Sequence, residues 1–218
     1  SEFIELFWPE DNSSNPVNAL KTLLYRIRAM LEPLFGPEVQ PILAQRGAYS
    51  WNPAVTCELD ADRFEALCFQ ASNEDLPDAA RIELYRQGAL YQGDLLPKLN
   101  HQMWLIPLSV HYHTLYLEAV KALAALLDRA ELFDEMQLVC QRASSLDNLD
   151  EGLHTLIVRS LLRQGKDAAA LDHYEKATDL LYRNLGVRPS EELRALYTEI
   201  MATEKTLETD LGAIMADL

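Results

Sequence analysis

The sequence predicts a mainly α chain in which a helix plus a β-hairpin precedes a series of antiparallel helical hairpins. Three observations carry that prediction. An apolar stripe at helical spacing runs through Val17, Leu20, Leu24, Ile27 and Leu31. Between Val39 and Asn52 the period shortens to that of strands, with Ile42 and Ala44 before Arg46-Gly47 and Tyr49 and Trp51 after it. From Leu115 to Tyr182 the apolar pattern repeats every 34 residues, which sets Leu123 over Ile157, Ala124 over Val158, Leu127 over Leu161, Met136 over Ala170, Cys140 over Tyr174, Ala143 over Ala177 and Leu146 over Leu180.

Taken in order, Ser1 to Trp8 starts at core-like density, with Phe3, Ile4, Leu6, Phe7 and Trp8, as if inside a domain that began earlier. Pro9 to Ser14 is a polar break. Asn15-Pro16 reads as an N-cap followed by a proline in the first turn. The helix it opens is expected to reach Leu31, with Leu23 and Met30 widening the stripe and Pro33, Gly36 and Pro37 ending it. Its outer face carries Asn18, Lys21, Thr22, Tyr25 and Arg28, with Arg26 on the flank. A helix followed by a small hairpin is the order of a winged helix, here a partial one.

Pro53 to Glu58 is a connector, and Asp60 caps a helix carrying Phe64, Leu67 and Cys68. Pro77-Asp78 opens another through Leu84 to Leu90, closed by the turn Tyr91-Gln92-Gly93-Asp94-Leu95-Leu96-Pro97. Trp104 to Leu127 reads as one long helix with Pro107 near its start. The two 34-residue units that follow fit the tetratricopeptide (TPR-like) pattern, the second well through Ala170, Tyr174 and Ala177, the first poorly. A generic antiparallel helix pair with four-residue turns fits as well. Leu185 to Ser190 is a capping glycine, a linker and a new N-cap, and the last helix stays amphipathic through Leu207 with no stop signal before Leu218.

The formal charge of −15 argues against nucleic-acid binding by charge alone. It is uneven: residues 1–57 hold four basic and six acidic side chains, 58–218 fifteen and twenty-eight. The helical part therefore suits protein partners rather than a polyanion. Cys57, Cys68 and Cys140 lie far apart without CxxC spacing and read as core thiols of a reducing compartment. Neither a spanning apolar run nor a signal segment is visible, so the expectation is a cytoplasmic protein with no membrane role. No phosphate loop, nucleophile elbow or HExxH motif occurs, which points away from an enzyme, a cofactor or a metal site. His111 and His113, two apart on a helix, would point to different sides. His154 and His173 stand alone.

Several strings together resemble a known family. Leu6-Phe7-Trp8-Pro9, Asn18-Ala19-Leu20, Tyr25-Arg26-Ile27-Arg28, Arg46-Gly47-Ala48-Tyr49 and Asp62-Arg63-Phe64-Glu65 resemble the second half of an OmpR-type winged helix running into the bacterial transcriptional activator domain of SARP-type regulators. Tyr91 to Pro97, Trp104 and Leu185 to Ser190 with Leu196-Tyr197 are similar to that activator domain. The resemblance implies a division into 1–57, the C-terminal part of the winged helix; 58–203, the activator domain; and 204–218, a helical extension leading to a further domain.

It also implies a transcription activator whose winged helix holds promoter DNA and whose TPR-like part binds the transcription machinery, other protein domains or a second copy. Asn18, Lys21, Thr22, Tyr25, Arg26 and Arg28 would meet the major groove and its phosphates, with Arg46 in the wing. The plainer reading of the same helix is a solvated face. Of the aromatic residues, Tyr112, Tyr116, Tyr174 and Tyr182 would line a partner groove, unless they, with Tyr85, Tyr91 and Trp104, are packing between hairpins. The rival function is a protein-interaction or effector-sensing module without its own DNA binding.

Overall fold

The structure, a computed structural model, describes residues 2–8, 15–45, 47–88, 93 and 95–216, with side chains through 203. Arg46 and the Tyr91, Gln92 and Asp94 of the predicted turn lie outside the described residues. The chain divides into two compact units, 1–59 and 60–218.

In the first unit α1 (Glu2–Phe7) lies against α2 (Pro16–Phe35), and the hairpin of β1 (Ile42–Gln45) and β2 (Ala48–Trp51) follows. Asn15 caps α2 by accepting from the Asn18 amide at 3.0 Å, so the predicted start holds. The predicted end does not. Helix α2 continues through Pro33 to Phe35 and closes where the Gly36 amide, at φ 81°, reaches the Glu32 carbonyl at 2.7 Å. Pro33 lies on the exposed side of the helix, and Ala29, whose carbonyl its ring nitrogen cannot bond, is exposed as well.

The stripe is also narrower than its sequence suggests. Leu20 and Leu24 are buried, but Val17 and Met30 are 52% and 76% exposed. At about 100° per residue they sit on its two margins. The strands pair antiparallel with Gln45 opposite Ala48, which leaves a two-residue turn completed by Gly47 at φ 82°. Trp51 packs edge-on against Phe35 at 6.4 Å and donates its indole N–H to the Val55 carbonyl at 2.8 Å.

In the second unit α3 (Asp60–Ala71), α4 (Asp78–Gln87), α5 (Ile106–Arg129), α6 (Phe133–Leu146), α7 (Glu151–Arg163), α8 (Asp167–Leu185) and α9 (Glu191–Ala216) alternate between two layers. Helices α3, α5, α7 and α9 touch in succession, and α4, α6 and α8 each pack on the neighbours that flank them in sequence. This is a stack of antiparallel helical hairpins.

The 34-residue register marks its core. Leu123 and Ile157, Ala124 and Val158, Leu127 and Leu161, Met136 and Ala170, and Ala143 and Ala177 are all buried. Cys140 is buried while Tyr174 is half-buried, and Leu146 is exposed while Leu180 is half-buried. The register extends to the turns, where Leu132 donates to Leu127 and Lys166 to Leu161, each at 2.9 Å. The residue before each donor is left-handed: Gly165 at φ 67° and, in the first unit of the repeat, Glu131 at φ 57°. No described helix is long and apolar enough to cross a membrane.

Candidate functional site

Helix α2 presents one outward row, Asn18, Thr22 and Tyr25, with Lys21 and Arg28 on one margin and Arg26 on the other. Asn18, Lys21, Thr22, Tyr25 and Arg26 are exposed, Tyr25 by 73%. The Thr22 hydroxyl donates to the Asn18 carbonyl at 2.9 Å, so its oxygen remains available as an acceptor. Arg28 differs from its neighbours. It is half-buried, turns toward the hairpin, and donates from Nη2 to the Ile42 carbonyl at 2.9 Å, while its Nε is buried without a hydrogen-bond partner among the described residues.

The four tyrosines of the predicted groove differ in exposure: Tyr112 and Tyr174 are half-buried, Tyr116 is buried and Tyr182 is exposed. Tyr112 on α5 faces α3, where desolvation and then Glu65, Asp62 and Asp60 raise its pKa. Tyr116 is buried, and that burial raises its pKa. Tyr174 on α8 stacks on Tyr197 of α9 at 4.8 Å, and Tyr182 is 65% exposed. A cavity of about 60 Å³ lies among Phe64, Cys68, Tyr85, Tyr116, Val120 and Val139. Small-molecule sites occupy roughly 300–1,000 Å³, so this one is a packing void.

Residues 59–201 match the family of the bacterial transcriptional activator domain. The chain belongs to that family. Among solved structures, Mycobacterium tuberculosis EmbR in complex with a low affinity phosphopeptide has a similar fold, with a TM-score of 0.68 at 21% identity over 98% of this chain and 58% of that one. The Hsp90 co-chaperone Cns1 (delta69) from Saccharomyces cerevisiae gives 0.56 at 10% identity over 72% of this chain and 44% of its own. The chain thus spans less than two thirds of either protein. No curated protein matches the sequence.

Within the activator domain the histidines divide into two kinds. His111 meets Glu65 at 3.1 Å and His113 meets Asp147 at 3.3 Å, on different sides of α5 as their spacing requires. His154 and His173 do not stand alone: Nδ1 of the first and Nε2 of the second are 3.1 Å apart, and His154 Nε2 is 2.9 Å from the Asn148 carbonyl. That carbonyl only accepts, so in the neutral pair His154 Nε2 carries a proton, its Nδ1 accepts, and His173 Nε2 donates. Burial of His154 leaves little room for any other arrangement. Burial and then the neighbouring His154 hold the His173 pKa down to about 4. The sequence signal was that both fall within one 34-residue hairpin. Among the described residues no group of three or more His, Cys, Asp and Glu is placed to hold a metal ion.

Proposed function

We propose that this activator-domain chain is part of a SARP-type transcription activator that holds promoter DNA through a winged helix built on α2 and the β1–β2 hairpin, and that it acts in the cytoplasm. The observation that supports it best is the exposed row on α2. A helix lying in a major groove reads bases with the residues on its crest and meets the two flanking backbones with those on its margins. Asn18, Thr22 and Tyr25 occupy the crest, with Lys21 and Arg26 on opposite margins. The likeness of fold to EmbR spans nearly the whole chain, this unit included. Arg46, which follows β1 in the sequence, would supply a cation for the adjacent minor groove.

The helical unit is the recruiting part in this reading. Its acidity repels DNA and favours a protein partner, such as the transcription machinery or another protein domain. The phosphopeptide of the EmbR complex carries no assignment here, because this chain spans 58% of that protein. The test is binding of the whole protein to a promoter-length duplex between 50 and 200 mM salt, where log K falls linearly with log salt for a protein that neutralises phosphates. Absence of salt-dependent binding overturns the reading in favour of a protein-interaction module without DNA binding.

A further inference from the structure

The carbonyl of Ile42 is among those that the hairpin's own ladder does not use. Asn52 donates its amide to the Pro41 carbonyl at 2.7 Å, and Ile42 is the next residue, opposite Trp51. Antiparallel ladders alternate between bonded and non-bonded pairs, so Ile42 and Trp51 form a non-bonded pair and the Ile42 carbonyl points away from β2. It points to Arg28, which donates to it from Nη2 at 2.9 Å across fourteen residues of chain. The Nε of the same guanidinium is buried as well. A second side-chain link between helix and hairpin is the edge-on contact of Phe35 with Trp51, nearly two turns further along α2.

We propose that Arg28 is a positioning residue: it fixes the root of the β1–β2 hairpin at a set angle to α2 and does not itself contact phosphate. The proposal rests on the DNA reading above and redistributes its residues. The helix margin that carries both Lys21 and Arg28 then has Lys21 as its phosphate contact, and the charge of Arg28 serves geometry. Lysine does not replace it, because an ammonium lacks the planar fork that reaches a carbonyl while its stem stays packed.

Two readouts on the whole protein test this. The first is the salt dependence of binding to a mixed-sequence duplex for the unmodified protein, Arg28→Lys, Arg28→Met and Lys21→Met. The second is amide hydrogen exchange in β1 and β2 without DNA. The expected result is that both Arg28 variants lose about tenfold in affinity with the slope unchanged, and both speed strand exchange. Lys21→Met reduces the slope by about 0.9 and leaves exchange alone. If Arg28→Met reduces the slope by about 0.9 and Arg28→Lys restores it, Arg28 is a phosphate contact and the proposal is wrong. Unchanged strand exchange in both variants also overturns it. An unmodified protein without salt-dependent binding removes the DNA reading instead, and the exchange measurement then decides by itself whether Arg28 holds the hairpin.

Discussion

Lowering the pH should cost this protein stability in a window that one histidine defines. His173 ionises near pH 6.5 when unfolded and at about 4 when folded, because burial and then His154 disfavour its charged form. Between those values the unfolded chain binds a proton that the folded chain refuses, so stability falls as pH drops from 6.5 toward 4 and levels off below. The full difference corresponds to about 3 kcal/mol at about 1.36 kcal/mol per pH unit. Glu135, whose carboxyl the hydrogen-bonded Arg86 holds below its ordinary value of 4.5, begins to lose its own contribution only as the pH falls through that value, at the acid end of the window. The perturbation that isolates the histidine is His173→Gln, whose amide still donates to His154 Nδ1 but does not titrate. Urea denaturation from pH 7.5 to 4 should give a wild-type curve that falls more steeply than that of the variant. Parallel curves, or an NMR titration that puts His173 near 6.5, would refute the buried-pair argument.

The turns of the repeat make an opposed pair of substitutions. Gly165→Ala forces a Cβ into a left-handed position and should cost about 1 kcal/mol, whereas Glu131→Gly relieves the same strain and should gain a similar amount, both measured by urea denaturation. Burial pushes the Cys140 thiol up to about 12 and that of Cys68 to about 11, while Cys57 is exposed, so iodoacetamide at pH 8 should label Cys57 alone in the folded protein, as mass spectrometry would show. Val120→Ile adds a methylene to the 60 Å³ void and should raise stability by up to about 1 kcal/mol, with a loss instead if the void cannot take it.

The helical hairpins were largely legible because their contacts are local and repeat. A spacing of 34 identifies Leu123, Leu127, Ile157 and Leu161 as core without knowledge of any distant partner. The β-hairpin was legible from Arg46-Gly47, since a two-residue turn needs a left-handed residue and glycine supplies it. What failed depended on which margin of a stripe gets covered. Val17 and Met30 have the right spacing, but they lie at the margins of the stripe and stay exposed. The left-handed turn at Glu131 gave no glycine signal. The meeting of His154 with His173, and the inward turn of Arg28, depend on how two elements pack, and a single-helix pattern does not contain that information.

A DNA-bound activator of this kind requires that the crest and margins of α2 grip a duplex. The most direct measurement is promoter-duplex binding by the whole protein carrying Lys21→Glu with Arg26→Glu, alongside its urea stability. Both side chains are exposed, so stability should change by no more than about 0.5 kcal/mol. DNA affinity should fall at least a hundredfold as two attractive charges become repulsive. Affinity unchanged in a protein that remains folded would contradict the account.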